Sequence, residues 1–381
     1  MLLIKGGMIH DAINSMSYQA DILIESGKIM KVEKDISAEE ASEIYNASGM
    51  DIYPGFIDVH THIGMFGYAG TASKDDVEKG DRCTPNHRAV DAVNPQEDTF
   101  EKARNAGVTC VCITPGSVGC IGGTAAVLKT YGYRIDDMIV KNPVAMKIAF
   151  GENPKSSLND KLTTRMTIAA TIRETLFLAR EYERKKRHAG DNPDKLPPYS
   201  PKLEALIPVV RREIPMKAHA HRSDDIFTAI RIAKECGVDL TIEHASQGGC
   251  IAEDLAREGF PVAFGPCFSQ SKKSESSAQC AADGIKLIRA GCRVSVMTDS
   301  PVIAQDHLPL CAGLLMREGL SEFEALKTIT INPAKHLGIE DRVGTISVGK
   351  DADLVIAKGC PMQMTVKPEA VFIDGRRVES I

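Results

Sequence analysis

Two histidines separated by one residue follow a short apolar stretch in this chain of 381 residues. Residues 56–59 read Phe-Ile-Asp-Val, and His60 and His62 come next. Because alternate side chains of a strand point to the same side, the two imidazoles can converge on one point. Neutral imidazole is a common ligand for zinc and similar ions. The pair indicates a metal site, and the alternative interpretation is two surface histidines beside a turn.

More metal-capable side chains stand at later apolar stretches. His219, His244 and Asp299 each end one such stretch, and Lys147 lies inside another. Taken singly, His219 could be a core histidine, Lys147 could pair with a carboxylate, and His244 or Asp299 could cap a helix. The carboxyl ends of barrel strands, however, converge on one mouth. Since all these groups would meet there, the set favours a metal centre over unrelated structural roles.

The middle of the chain alternates apolar stretches with helical segments that stop at glycine. A helix predicted over 223–236, for example, ends before Gly237, a common helix terminator. About eight strands can be counted from residue 56 onward, and most are followed by a helix. This pattern predicts an α/β fold, specifically a (β/α)8 TIM-type barrel over residues 54–342.

Both ends of the chain are rich in short predicted strands. Residues 1–53 contain three of them, and residues 343–381 contain a hairpin signal at Asp374-Gly375. Two strand-rich ends around a different middle predict one small composite β-sandwich domain, formed by 1–53 and 343–381.

Composition excludes several classes of partner. The net charge of −5 and the pI near 6.1 argue against nucleic acid and anionic membranes. We find no apolar run near the ~20 residues of a membrane span, and the first residues lack a secretion signal. The eleven cysteines show no disulfide spacing, which favours a reduced, cytoplasmic protein. Homo-oligomerisation stays open.

Two polar segments are candidates for shaping a pocket. The stretch 64–95 is too long for a plain connector and is a candidate lid, and 265–278 follows a later strand. Arginines and lysines in or near these segments could bind a substrate carboxylate, with plain surface charge as the alternative. The candidates are Arg88, Arg222, Lys272 and Lys273.

The chain resembles the amidohydrolase superfamily of metal-dependent hydrolases, and within it the branch of imidazolonepropionases and prolidase-like peptidases. The resemblance extends over almost the whole chain and implies the barrel and the β-sandwich described above. The motifs that carry it are Pro54-Gly55-Phe56-Ile57-Asp58-Val59-His60-Thr61-His62, His219-Ala220-His221, Ile242-Glu243-His244, Thr298-Asp299, Asn332-Pro333-Ala334 and the segment 344–354.

The resemblance implies a set of metal ligands. His60, His62 and Asp299 would hold one divalent ion, with zinc the first candidate. His219 and His244 would hold a second ion. The cofactor is therefore one or two metal ions per chain.

Lys147 matches the position at which binuclear members carry a carboxylated lysine that bridges the ions. Glu152, just beyond the same strand, is a rival bridge that needs no modification. With neither bridge, the resemblance allows a single ion bound by His60, His62, His219 and Asp299. His221 is expected to support a ligand or contact the substrate, and Arg222 to contact the substrate.

The resulting hypothesis is a metal-dependent hydrolase of C–N bonds in small amides. A linear amide or dipeptide-like substrate comes first, and a cyclic amide, as for imidazolonepropionases, is the alternative. Asp299 would accept a proton from the attacking water and deliver it to the leaving nitrogen. A deaminase is less favoured, because Arg222 stands where related deaminases carry an acid. A non-catalytic scaffold has no need for the full ligand set.

Overall fold

The computed structural model describes residues 1–66, 74–155, 163–268, 274–276 and 280–378. Within these ranges the chain forms two β-sheets and a series of helices. The strands are β1 (Leu2–Ile9), β2 (Tyr18–Glu25), β3 (Lys28–Glu33), β4 (Glu43–Asn46), β5 (Asp51–Pro54), β6 (Phe56–Thr61), β7 (Val108–Ile113), β8 (Ile121–Lys129), β9 (Ile139–Ala149), β10 (Met216–Ala220), β11 (Leu240–His244), β12 (Val262–Phe264), β13 (Val294–Val296), β14 (Leu354–Ala357), β15 (Pro368–Ile373) and β16 (Arg376–Val378). The helices are α1 (Asp98–Asn105), α2 (Ile135–Met138), α3 (Glu152–Lys155), α4 (Arg165–Ala189), α5 (Pro201–Glu204), α6 (Ile207–Val210), α7 (Ser223–Cys236), α8 (Ala252–Glu258), α9 (Ala281–Arg289), α10 (Leu308–Arg317), α11 (Glu322–Thr328) and α12 (Ile331–Leu337).

Strands β6 to β13 form one sheet in chain order. All six residues of β6 are buried, as expected for a strand that is covered on both faces. The first and last strands meet through two backbone hydrogen bonds. Asp299 N donates to His60 O over 3.3 Å, and His62 N donates to Ser300 O over 3.0 Å. The sheet is therefore a nearly closed barrel in a mixed α/β fold, as the sequence predicted.

The direction of β8 differs from the prediction. The sequence pattern indicated a parallel sheet throughout, but β8 runs antiparallel to both β7 and β9. The connection from Ile113 to Ile121 is only a few residues long, and a parallel crossover needs a dozen or more. Strands β7, β8 and β9 are consequently joined without a full-length crossover helix.

The helices that connect the parallel strands begin and end as local chemistry dictates. Helix α7 carries Asp224 and Asp225 in its first turn and Lys234 in its last, so each charge complements the helix dipole. Gly237 ends the helix at φ +57°, a conformation that glycine adopts without strain. No helix in the described part of the chain is both long and apolar enough to cross a membrane.

The second sheet combines strands from both ends of the chain. Its hydrogen-bonded path runs β16-β15-β14-β5-β1-β2-β3, and β4 pairs with the first half of β1. The Asp374-Gly375 hairpin is confirmed, with φ +48° and +71°, as a two-residue turn between β15 and β16 requires. The structure thus supports a separate sheet domain. The two-layer sandwich and the boundaries at 53 and 343 remain predictions.

A buried ion cluster joins the two sheets. Lys129, the last residue of β8, is buried, and its Nζ lies 2.6 Å from Asp353, 3.0 Å from Asp351 and 3.2 Å from Asp374. Burial alone would lower the pKa of Lys129, but the carboxylates around it raise the pKa above its ordinary value. The reversed strand therefore ends in a charged contact with the second sheet, on the side opposite the strand ends that carry the histidines.

Candidate metal centre

The first cluster of metal-capable groups contains His60, His62 and Asp299. The histidines lie at the end of β6, and Asp299 lies three residues beyond β13. Asp299 Oδ1 is 3.3 Å from His62 Nε2 and 3.6 Å from His60 Nε2. The structure thus brings together the three residues that the sequence assigned to one ion.

The second cluster contains His219, His221 and His244, all buried at the carboxyl ends of β10 and β11. The ring centroids of His219 and His244 are 4.3 Å apart, and those of His221 and His244 are 4.6 Å apart. One ligand atom from each residue lies within 4.8 Å of the others. The sequence assigned only His219 and His244 to the second ion, so the inclusion of His221 in this group is new.

The two clusters face each other across the barrel mouth. The ring centroids of His60 and His244 are 5.3 Å apart. Asp299 Oδ2 lies 4.0 Å from His244 Nδ1, so the aspartate of the first cluster also borders the second. The metal-capable residues therefore form one centre with two halves.

Hydrogen bonds at Nδ1 orient four of these rings. A neutral imidazole that donates from Nδ1 keeps its lone pair on Nε2, which is the usual arrangement of a metal-binding histidine. Each acceptor is fixed by a neighbouring strand or loop. The contacts are His60 Nδ1 with Glu243 Oε2 at 2.8 Å, His62 Nδ1 with Thr114 O at 2.7 Å, His221 Nδ1 with Ser246 Oγ at 2.7 Å and His244 Nδ1 with Gly265 O at 3.1 Å.

Two observations fit a bound cation. His244 Nε2 is buried and has no hydrogen-bond partner among the residues that the structure describes, a costly state for an isolated acceptor. When His62 donates from Nδ1 to Thr114, its Nε2 faces the Asp299 oxygen at 3.3 Å, so two electron pairs oppose each other. A cation between such atoms would remove both costs, and imidazole with carboxylate is a donor set that suits zinc.

The backbone at two of these residues is unusual. His244 has φ +71° and Asp299 has φ +52°, in the left-handed region that non-glycine residues seldom adopt. Such conformations persist where the surrounding structure imposes them, and they cluster at functional sites. Here they turn both side chains into the centre at the ends of β11 and β13.

The protonation of the histidines also suits metal binding. Burial is the main cause that lowers the pKa of His60 to about 3. Burial likewise lowers the pKa of His244 well below its ordinary value. Both imidazoles are therefore neutral at physiological pH, which is the state that binds a metal.

Lys147 lies beside the first cluster. Its side chain is fully buried on β9, and its Nζ is 3.3 Å from His60 Nε2. Burial lowers the pKa of this amine to about 8, against the opposing effect of nearby Glu243. A lysine of this kind carries an appreciable neutral fraction near neutral pH, unlike a surface lysine.

Two other predicted residues lie apart from the clusters. Glu152 begins α3, where its Oε1 accepts a hydrogen bond from Ser274 Oγ at 2.8 Å, and it belongs to neither metal-capable group of the described residues. Arg222 is partly exposed, and its guanidinium forms a two-pronged contact with Asp224 at 2.9 and 2.8 Å.

The other three candidates for binding a substrate carboxylate are Arg88, Lys272 and Lys273. Arg88 is exposed and pairs with Asp91 through two contacts of 2.8 and 2.7 Å. Lys272 and Lys273 lie outside the described residues, as does part of the predicted loop 265–278.

Sequence reasoning missed the role of Glu243, which is fully buried behind the first cluster. Besides His60, it contacts Lys217 Nζ at 2.7 Å and accepts a hydrogen bond from Thr241 Oγ1 at 2.8 Å. Burial alone would raise the pKa of Glu243, but Lys217, the nearby His336 and the contact with His60 hold it well below its usual value. The available signal was an acid directly before a metal-capable histidine.

Asp58 was also missed. Its carboxylate accepts hydrogen bonds from Thr298 Oγ1 at 2.6 Å and from Gln305 Nε2 at 2.7 Å. Burial raises the pKa of Asp58 to about 6. These contacts tie β6 to the segment that carries Asp299 and so fix the distance between ligands from the two ends of the barrel.

Comparisons with known proteins agree with this architecture. The family model described as "Amidohydrolase family" matches residues 204–378. A crystal structure of an amidohydrolase from Thermotoga maritima MSB8 is 38% identical, covers 100% of both chains and superposes with a TM-score of 0.94.

Curated relatives carry related names. The amidohydrolase tasK of Hapsidospora irregularis is 30% identical over 93% of this chain, which spans only 39% of that protein's length. A dihydroorotase of Elusimicrobium minutum (strain Pei191) is 27% identical over 93% of this chain and 87% of its own length. The full-length likeness to the Thermotoga maritima structure, together with the family match, leads to one conclusion: the chain belongs to the amidohydrolase family.

Proposed function

We propose that this amidohydrolase cleaves the C–N bond of a small amide with the help of divalent metal ions, of which zinc is the first candidate. The observation that carries the proposal is the pair of facing clusters, in which hydrogen bonds at Nδ1 leave the Nε2 atoms of His60, His62, His221 and His244 for metal binding. When bound, a divalent ion there supplies a water of lowered pKa and polarises a carbonyl oxygen.

The ligand assignment follows the two clusters. His60, His62 and Asp299 would hold one ion. His219 and His244 would hold the other, and we add His221 to them because one ligand atom from each of the three lies within 4.8 Å of the others. Arg222 is a weaker candidate for substrate contact, since Asp224 already occupies its guanidinium.

Lys147 is our preferred bridge between the ions. With a pKa of about 8, about a tenth of its amine is neutral at pH 7. The neutral nitrogen can attack the carbon of CO2 and lose a proton, which gives an anionic carbamate beside His60. Glu152 is less suitable because Ser274 already occupies its Oε1.

Asp299 has the position to move protons during the reaction. Its carboxylate lies at the junction of the two clusters, with Oδ1 near His62 and Oδ2 near His244. From there it can accept a proton from the attacking water and deliver it to the leaving nitrogen. The contact of 2.8 Å between His60 Nδ1 and Glu243 Oε2 would hold the neighbouring His60 ring in place.

The first candidate substrate is a linear amide or a dipeptide-like molecule. A cavity of about 350 Å³ includes Gly122, which lies next to Lys147, and would offer room for a group beyond the scissile carbonyl. The second candidate is a cyclic amide, favoured by the name of the dihydroorotase that aligns over most of its length.

The test combines metal analysis with a substrate panel. Protein purified without chelators, in the presence of bicarbonate, is expected to contain two ions and to hydrolyse members of a panel of dipeptides, N-acyl amino acids and cyclic amides. One ion with turnover would favour the single-ion set His60, His62, His219 and Asp299. Absence of metal after reconstitution, with no turnover, would contradict the proposal and favour the scaffold.

A further inference from the structure

The cavity beside the metal centre contains an acidic side chain without an obvious role. One cavity, of about 1070 Å³, lies between the second sheet and α1, far from the two clusters. Another, of about 350 Å³, is lined by residues of the loop after β6, of the β7–β8 connection and of the start of β8, including Asp76, Gly116 and Gly122. None of the clustered histidines lines the second cavity, but its Gly122 lies next to Lys147.

Backbone contacts hold Asp76 close to the first cluster. Thr114 O accepts the hydrogen bond from His62, and two residues later Gly116 N donates to Asp76 O over 2.6 Å. A Cβ on Gly116 would lie 3.0 Å from Asp76 Oδ2, so the carboxylate rests against the glycine. Asp76 is therefore held against Gly116, which lies two residues after Thr114, and the carbonyl oxygen of Thr114 orients His62.

A second residue of this cavity, Gly122, lies next to Lys147. A Cβ on Gly122 would lie 3.6 Å from Lys147 Cγ and 3.2 Å from Gly116 O. The Asp76 carboxylate is itself near enough to His62 and Asp299 for both to affect its pKa. A small molecule in this cavity would therefore lie beside the centre.

The Asp76 carboxylate forms no close ion pair with another described residue, although His62 and Lys74 lie near enough to lower its pKa. Its Oδ1 is buried and has no hydrogen-bond partner among the described residues. Arg88, which lines the same cavity, is already paired with Asp91, and Lys74 is exposed. Burial of an unpaired acceptor is costly. Burial is also the main cause that raises the pKa of Asp76, while His62 and Asp299 act on it with opposite signs.

We propose that Asp76 is a specificity residue that binds the ammonium group of a cationic amide substrate, such as the free α-amino group of a dipeptide. The inference rests on the proposed amide hydrolysis and narrows its substrate class. An ammonium donates hydrogen bonds and carries a charge opposite to that of the carboxylate, so it is a suitable partner for the Asp76 carboxylate. The scissile carbonyl would then lie toward the histidines, with the amino group toward Asp76.

The test compares dipeptides that have a free amino group with the same dipeptides N-acetylated. The wild-type enzyme is expected to prefer the free forms. In Asp76→Asn, kcat/KM for free dipeptides should fall about 10- to 100-fold, mainly through KM, with little change for the acetylated forms. Asp76→Glu should retain part of the preference. Asp194→Asn, which removes an exposed charge away from this cavity, is the matched control.

Several outcomes would overturn the inference. Equal losses for free and acetylated dipeptides in Asp76→Asn would assign the residue a merely structural role. Turnover of cyclic amides without any preference for free dipeptides would reject Asp76 as an ammonium site but keep amide hydrolysis. If no amide is hydrolysed, the proposed function fails. In that case, calorimetry compares the binding of the same dipeptides to wild type and to Asp76→Asn. Equal binding by the two proteins would reject Asp76 as an ammonium site.

Discussion

His60 Nδ1 lies 2.8 Å from Glu243 Oε2, and both residues are fully buried. The same Glu243 oxygen is 2.7 Å from Lys217 Nζ. A carboxylate behind a metal-binding histidine fixes the orientation of the ring and makes its other nitrogen a better ligand. At the proposed metal centre, this contact would couple a buried ion pair to metal affinity.

Glu243→Gln is therefore expected to weaken metal binding about 10- to 100-fold, measured by competition with a chelator. The amide can still accept from His60, but it no longer carries the charge that enhances ligand basicity. Loss of the Glu243 charge also leaves Lys217 buried without its partner, which would destabilise the fold. The double variant Glu243→Gln/Lys217→Met removes both charges, so a loss of metal affinity in it is not caused by an unpaired Lys217. Exposed Glu253→Gln is the control. Wild-type affinity in Glu243→Gln would reject this role.

Lys147→Ala is expected to lower the metal content from two ions toward one and to reduce kcat about 100-fold, because a bridging anion is lost. Elemental analysis and steady-state rates are the measurements. Glu152→Gln should retain both ions, since its carboxylate contacts Ser274 rather than the clusters. If Lys147→Ala retained two ions and full activity, another residue would have to bridge the ions, and Glu152 would be the first candidate.

Asp299→Asn is expected to reduce kcat about 100- to 10,000-fold, because the proton acceptor and donor is removed. The variant should retain some metal through the histidines, so metal content must be determined beside the rate. Asp306→Asn, seven residues later and partly exposed, is the control. Undiminished turnover with normal metal content would refute the proton-transfer role.

Acid should destabilise the metal-free protein. The folded pKa of His60 is about 3 and that of His244 is also far below 6.5, so the unfolded chain binds more protons as the pH falls below about 6.5. Each histidine contributes about 1.4 kcal/mol per pH unit in that window. Asp58 has the opposite effect below pH 6 and offsets the contribution of one histidine, because its pKa in the folded protein is raised to about 6. Urea unfolding of the chelated protein between pH 7 and pH 4.5 should show a net loss of stability.

His60→Asn provides the matched comparison for this pH series. Without the buried imidazole, the dependence should weaken by about 1.4 kcal/mol per pH unit. An unchanged slope in this variant would show that His60 does not contribute to the linkage.

The sequence predicted the parts of the centre that depend on local periodicity. His60 and His62 share one side of a strand because the side-chain period is two, and His244 and Asp299 were found because each follows an apolar stretch. The inclusion of His221 in the second cluster was not predicted, although His221 also stands two residues after a histidine. Whether its nitrogen reaches the same point depends on how β10 and β11 align, and spacing along one strand does not specify this alignment.

Long-range partners account for the other omissions. Glu243 contacts His60 from 183 positions away, and this contact requires the barrel to close. Asp76 lies in a polar stretch without periodicity, so only the folded position of Gly116 gives it significance. The direction of β8 was missed because an apolar run has the same composition in either orientation.

The reversal of β8 has a consequence for how new specificities can arise. Its beginning rather than its end faces the metal centre, and that beginning carries Gly122 and Gly123. One sector of the mouth is thus lined by bare main chain, where a substitution would change the volume of the cavity. A larger residue at Gly122 would press on Pro115 and Lys147 and narrow the entrance. Substrate size can therefore be tuned from this strand, while substrate charge is tuned from the facing loop.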